Sequence, residues 1–177
     1  TTNLKQCTWS SRAKDKENYP INCLSWEQAL TFSRWVGGNL PTEAQWEYAA
    51  RGGEDFMYAG SDNLDLYGWH ARNSNKTIQI VKTRNPNKYK LYDMSGNVWE
   101  WTLDAWLDNY KGAPFKAEVP REVDKESPPR VVRGGSVLDS EIGLQVTNRY
   151  YAETYSPGGW IHGFRPIKTE TEEEDAE

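Results

Sequence analysis

Two carboxylates and a tight turn set the chemistry of the stretch Leu91-Tyr92-Asp93-Met94-Ser95-Gly96-Asn97-Val98-Trp99-Glu100-Trp101. Asp93 stands just before Ser95-Gly96-Asn97, and Gly-Asn lets the backbone turn at low steric cost. From Val98 onward the residues alternate, so a strand there sends Val98 and Glu100 to one face and Trp99 and Trp101 to the other. Turn and strand together gather Asp93, two backbone carbonyls and Glu100 around one point. That nest offers only oxygen, which suits a hard cation such as calcium. A second reading needs no metal: Asp93 caps the turn, and Glu100 pairs with a buried arginine such as Arg133 or Arg165. In both readings the tryptophans anchor the knot to a core.

Glu43 and Glu47 lie four apart on one helix face, a spacing open to acid–base chemistry. A structural role is preferred, with Glu43 complementing the helix N-terminus and Glu47 neutralising a buried arginine, Arg165 being the expected partner. His70 and His162 are the only histidines, and each reads as structural or exposed rather than as a ligand. Cys7 and Cys23 are the only cysteines. Bridged, they close a short loop worth about 3 kcal/mol and imply an oxidising compartment; two reduced thiols are the alternative.

The elements that must position these groups are short. Ser25 with Gln28 forms a capping box for a helix reaching Trp35 and ended by Gly37-Gly38, and Thr42 with Gln45 forms another for a helix reaching Gly52-Gly53. Between Glu54 and Lys90 the helical period is lost, leaving a long loop with a brief strand near Ile78–Val81. Arg130-Val131-Val132-Arg133 reads as a strand leading into Gly134-Gly135-Ser136, where another chain segment or a ligand approaches closely. Weak alternation over Val146–Tyr151 and the run Ile161–Ile167 give two more strands, separated by a turn at Ser156-Pro157-Gly158-Gly159. Thr169–Glu177 is an acidic tail of solvated charge, so the organisation is one domain over residues 1–168 followed by that tail.

The 177 residues include nine Trp and ten Tyr against four Phe and two Met. With so few aliphatics, loop-rich α+β structure pinned by aromatics is expected. The net charge of 21 − 26 = −5 argues against nucleic acid as a partner. No apolar run approaches membrane-spanning length and no signal peptide is visible. The first residue is Thr1 rather than Met, which fits a mature or processed form.

Taken in order, Pro20-Ile21-Asn22-Cys23-Leu24-Ser25-Trp26, the run Leu40-Pro41-Thr42-Glu43-Ala44-Gln45-Trp46-Glu47-Tyr48-Ala49-Ala50-Arg51-Gly52-Gly53, Leu91–Trp101, Arg130–Ser136 and Gly163-Phe164-Arg165 resemble the formylglycine-generating-enzyme (sulfatase-modifying factor) family. The resemblance implies a C-type-lectin-like fold, with short helices around small twisted antiparallel sheets. It carries a calcium site onto Asp93, Gly96 and Val98 through backbone oxygens, and Glu100. It also implies a second calcium site near Trp69–Val81, where His70-Ala71-Arg72-Asn73-Ser74 gives no convincing ligand set, so none is expected. Members usually begin with a Gly-rich strand region upstream of the Pro-Ile-Asn-Cys segment. That part is missing here, which predicts an unpaired sheet edge and leaves room for a separate N-terminal chain or a neighbouring subunit to complete the fold.

Catalytic members of the family bind copper through two cysteines shortly after the Gly-Gly-Ser motif. The same offsets here give Asp139 and Leu144, and soft Cu(I) needs thiolates. Related sulfoxide synthases hold iron with a histidine cluster, which two histidines do not supply. Neither copper nor iron is therefore expected. The family's substrate groove, and the variable positions of its retroelement-diversified members, fall near Leu138–Trp160. Asp139, Asn148, Arg149, Tyr150, Tyr151, Tyr155 and Trp160 are the candidate ligand-binding residues there, Tyr, Trp, Asn and Arg being side chains of recognition surfaces; ordinary aromatic core is the alternative. The expectation is a non-catalytic recognition or scaffolding module for a protein, peptide or glycan, carrying one structural calcium. Bacterial members of the family occur as secreted proteins, lipoproteins and modules attached to kinases, which points outside the cytoplasm. The competing reading is a divergent oxidoreductase or sulfatase-maturation enzyme acting on cysteine-containing peptides, with Asp139, Ser140 and Glu141 as its nearest candidate residues.

Overall fold

In the computed structural model, residues 6–8, 15–114, 116–124, 126–154 and 159–168 are described. Tyr155, most of the turn at 156–159 and the acidic tail lie outside them. Two helices form where the sequence places them. α1 (Trp26–Trp35) and α2 (Glu43–Arg51) each begin with the full reciprocal capping box, Ser25 with Gln28 and Thr42 with Gln45. Gly52, left-handed at φ 62°, ends α2, and its N–H closes on Tyr48 O. A four-residue helix, α3 (Leu64–Tyr67), and a 3-10 turn over Glu141–Leu144 had no periodicity long enough to announce them.

The sheet has four strands: β1 (Trp99–Ala105), β2 (Arg130–Arg133), β3 (Arg149–Ala152) and β4 (His162–Phe164), in the order β3-β2-β1-β4. β1–β2 and β2–β3 are antiparallel, with Glu100 opposite Arg133 and Val132 opposite Tyr150. β4 runs parallel to β1, pairing Glu100 with Gly163, so the sheet is mixed rather than wholly antiparallel. Parallel neighbours need a long crossover, and β2 and β3 fill the chain between β1 and β4. β1 is buried on both faces, with Val98, Trp99, Glu100 and Trp101 all covered. One side takes a core of Ala29, Leu40, Trp99, Trp101 and Val132. A second cluster joins Trp46, Ala50, Ala59, Met94 and Val146.

No strand forms at Ile78–Val81. The Asn97 side chain takes the place of a strand partner there, accepting from Gln79 N and donating to Gln79 O, while Val81 N donates to Asn18 O. Cys7 and Cys23 are bonded, with their Cα atoms 5.6 Å apart. Beside the bridge, buried Asn22 accepts from Thr8 N and donates to Gln6 O and Trp160 O, tying the first described residues to the end of the chain. The edge of β4 is approached closely: a Cβ on Gly163 would stand 2.6 Å from Ile21 O. β3 forms the other edge of the sheet and, among the described residues, pairs as a strand with β2 alone.

Candidate functional site

The knot at Leu91–Trp101 is built as its residue types require. Gly96 adopts φ 97°, and a Cβ there would lie 2.1 Å from Trp69 O, so only glycine allows the two segments to touch. Gly96 N donates to Gly134 O, and Asn97 N to Trp69 O. Asp93, Asn97, Val98 and Glu100 then line one cavity of about 460 Å³ with Lys82 and Arg165. Gly96 is not among the residues that line it. Lys82, Lys90, Asp93 and Asn97, all on the cavity wall, have left-handed φ between 58° and 66°.

Asp93 and Glu100 are held differently in this cavity. Glu100 is held by Arg165, whose Nη2 and Nε donate to its two oxygens at 2.8 and 3.1 Å, and by the Trp46 indole at 2.7 Å. The expected ion pair is thus made with Arg165, not Arg133. Asp93 does not cap its own turn: its Oδ2 accepts from Lys82 N at 2.9 Å. Its Oδ1 is buried and, among the described residues, has no partner. Burial pushes the Asp93 carboxyl above its ordinary range, and the Glu100 charge adds to the rise against the pull of Lys82 N–H and Arg165. Burial opposes the Arg165 charge, but Glu100 and then Asp93 hold its pKa up.

An added divalent cation fits this donor set in part. It would answer the orphaned Asp93 oxygen and the mutual repulsion of Asp93 and Glu100. Among the described residues no cluster of three or more His, Cys, Asp or Glu could hold a metal, so backbone oxygens of Gly96 and Val98 would have to complete the shell, as calcium tolerates.

The sequence-predicted ligand residues do not form one surface. Tyr150 and Tyr151 stay exposed, at 54% and 41%, on edge strand β3. Their rings stack at 5.3 Å, and the stack continues to Trp99 at 5.7 Å and to Trp106 at 5.2 Å. Arg149 instead turns inward. It donates to buried Glu43 and to Leu107 O, with its guanidinium over the Trp106 and Tyr110 rings, because the Glu43 charge demands a counterion. Asn148 is spent on structure, its amide donating to Gly143 O and its carbonyl accepting from Arg133. Asp139 folds back onto Ser136, accepting from both its N–H and its hydroxyl. Trp160 borders a separate pocket of about 250 Å³ with Tyr19 and Lys16. Leu144 is fully buried against Tyr58 and Leu64.

Glu43 is more central than its helix-start position suggests. Arg121 and Arg149 donate to it, Arg133 lies 3.8 Å away, and Tyr110 adds a hydroxyl. Asp104 takes Arg121 and the Glu43 N–H. Glu47 receives Arg133, not the expected Arg165, and also Arg51. Nothing local marks this hub, since the partners of Glu43 lie 61 to 106 residues away in sequence. Each histidine is structural: His70 Nε2 bonds Asp65 at 2.9 Å, and His162 stacks on Trp101 at 5.4 Å.

A short-helix α+β domain folded around a Gly-Asn knot, with a mixed four-stranded sheet, is the class this architecture defines. Residues 1–170 match the family described as "Sulfatase-modifying factor enzyme 1-like domain", and the chain belongs to that family. It is 38% identical over 142 residues to the formylglycine-generating enzyme of Streptomyces coelicolor, covering 70% of this chain and 43% of that protein. To the inactive C-alpha-formylglycine-generating enzyme 2 of Bos taurus it is 32% identical over 146 residues, covering 75% and 43%. The chain thus spans about half the length, or less, of these curated relatives. Among solved structures, Treponema denticola variable protein 1 superposes with a TM-score of 0.75 at 26% identity, covering 88% of this chain and 73% of that one. PvdO from Pseudomonas aeruginosa gives 0.72, again at 26% identity, covering 83% and 60%. Among the described residues no helix is long and apolar enough to cross a membrane.

Proposed function

We propose that the chain is a non-catalytic recognition or scaffolding module, which meets a protein, peptide or glycan through the Tyr150–Tyr151 face and is steadied by one calcium at the knot. The carrying observation is what occupies the two positions that stand at the family's copper-cysteine offsets after Gly134-Gly135-Ser136. Leu144 is core, and Asp139 is consumed by the turn at Ser136. Neither is a soft ligand nor a free nucleophile. The Tyr150–Tyr151 pair lies a few residues beyond, rigid through its stack and exposed, as recognition residues are. The disulfide supports a place outside the reducing cytoplasm.

Calcium would be held by the Asp93 and Glu100 carboxylates with the Gly96 and Val98 carbonyls, and it would supply a fixed positive charge. Arg165, on the wall of the same cavity, and the Trp46 indole orient Glu100. Lys82 fixes the near side of Asp93 through its backbone N–H.

The test is metal content by mass spectrometry on protein purified without chelator, with melting curves with and without EDTA. One calcium per chain and a lower Tm on chelation support the reading; no metal sinks the calcium site. The relatives named formylglycine-generating enzyme favour one competing reading, a divergent oxidoreductase acting on cysteine-containing peptides. Copper or iron in the sample, or oxygen consumption with thiol peptides, puts that reading first.

A further inference from the structure

Helix α1 turns one face inward, where Ala29 and Ser33 are buried. A solvent-facing stripe beside it is unusually apolar. Trp35 is 79% exposed, Val36 47% and Phe32 46%. The two aromatics are not scattered: Phe32 meets Trp35 and Phe164 at 5.6 Å each, and Phe32 and Trp35, with Glu27, Gln28 and Thr31, line a shallow open surface. Isolated exposed hydrophobics need no explanation, whereas a contiguous aromatic patch rimmed by polar groups marks a contact surface. Tryptophan at such a centre is the residue most often found dominating an interface.

The flank of the patch indicates what covers it. Glu27 lies in the first turn of α1 and Arg34 in the last. Seven residues apart, they stand nearly in line along the helix beside the aromatic stripe. Neither joins an ion pair among the described residues. Two such helices laid antiparallel about a two-fold axis bring Glu27 of each copy toward Arg34 of the other, and oppose their macrodipoles. Laid parallel, they set like charges together. The patch is therefore complementary to itself in one orientation.

We infer that the outward face of α1 is a self-association surface, on which a second copy of this chain docks antiparallel through Trp35 and Phe32 with reciprocal Glu27–Arg34 pairs. One helix face falls short of the roughly 800 Å² per partner of a standard interface, so the dimer is weak and concentration-dependent. The face is separate from the Tyr150–Tyr151 surface and touches the knot's cavity only through Phe164, on which Phe32 packs, and the proposal does not depend on either function.

Sedimentation velocity from a few micromolar to several hundred micromolar tests it. The wild type shifts reversibly from monomer to dimer as concentration rises. Trp35→Ser, at a site too exposed to disturb folding, abolishes the shift while leaving the circular dichroism and Tm unchanged. Glu27→Arg weakens the dimer about tenfold, because two attractions become two repulsions. The double variant Glu27→Arg/Arg34→Glu restores wild-type association. A chain monomeric at every concentration overturns the proposal. So does a dimer that survives Trp35→Ser, or a double variant that stays as weak as the single one, since either contact then lies elsewhere or in another orientation.

Discussion

Replacing Glu43 by Gln removes one charge and almost no volume from the most connected ionic site of the fold. The Glu43 side chain is 3% exposed, that of Arg133 0%, of Arg121 5% and of Arg149 11%. Three acids, Glu43, Glu47 and Asp104, face three arginines, Arg121, Arg133 and Arg149, and Arg51, the second partner of Glu47, is balanced by Asp55, so the hub is neutral by count. The amide leaves three guanidinium groups against two carboxylates. Breaking a buried pair from one side costs about 3–5 kcal/mol, because the stranded charge stays desolvated. Set against a domain stability of about 5–15 kcal/mol, that brings the fold close to its limit. Urea unfolding by linear extrapolation measures the loss as a fall in midpoint at constant slope. Glu47→Gln, whose side chain is 26% exposed, costs clearly less. Glu43→Gln/Arg149→Met recovers part of the loss, since it removes the unpaired charge with the carboxylate. A Glu43→Gln loss below about 1 kcal/mol would show that the arginines relax into water, and the hub would then contribute nothing special.

Four further outcomes are expected. His162 is held down to about 4 by burial, its neighbour Asp139 pulling weakly the other way; the unfolded chain then binds the extra proton first, so stability is full above the ordinary histidine range and falls by up to about 3 kcal/mol between about pH 6.5 and 4. His162→Phe flattens that slope in a pH series of urea midpoints, and an unchanged slope refutes the assignment. Gly96→Ala places a methyl group 2.1 Å from Trp69 O, and the variant is expected to be largely unfolded by near-UV circular dichroism. Reduction of Cys7–Cys23, separated by 16 positions, lowers unfolding free energy by about 3 kcal/mol in the loop-entropy model; a midpoint unmoved by reductant counts against it. Tyr150→Ala/Tyr151→Ala leaves Tm within a few degrees, because both rings are substantially exposed, yet it removes binding in an array of peptides and glycans that the wild type recognises.

The parts of this molecule legible in its sequence are those whose signals are local. Ser25, Gln28, Thr42 and Gln45 announce two helix starts because a capping box closes within four residues. Gly96 and Asn97 announce the turn, and Arg130–Arg133 the strand, for the same reason. Trp99 and Trp101 read as one face and Glu100 as the other, but the sheet is covered on both sides, which alternation does not reveal. Ile78–Val81 has strand-like residues without a strand, because the Asn97 amide supplies the partner. Arg149 has the composition of a recognition residue, and only the distant Glu43 draws it inward. Glu47 receives Arg133 in place of Arg165, and of the two arginines open to Glu100 it is Arg165 that arrives, for the same cause: sequence shows that a buried charge needs a counterion, not which of several arginines the topology delivers.

The knot joins both kinds of determination. Lys82, Lys90, Asp93 and Asn97 all adopt left-handed backbone, a conformation costing on the order of 1 kcal/mol or more for a residue with a side chain. Four such residues around one cavity persist only where the surroundings over-determine them, and the bonds responsible are identifiable. Asn97 is pinned by Trp69 O and Gln79, and its carbonyl receives Val137 N. Lys82 is pinned by the Asp93 carboxylate. The Asp93 oxygen left without a partner therefore sits in a frame that cannot easily move to satisfy it. A cation stabilises such a frame without rearranging it, whereas protonation removes the charge at the cost of that donor set. Because burial raises the Asp93 pKa, its charge costs stability above that raised pKa, and the cost fades as pH falls from there to the ordinary aspartate value. Calcium, if held there, must reverse the trend, so that Asp93→Asn stabilises the metal-free protein and weakens the calcium-loaded one. Melting curves of both variants with calcium and with EDTA decide it: a substitution that acts with the same sign in both conditions removes Asp93 from the cation's shell.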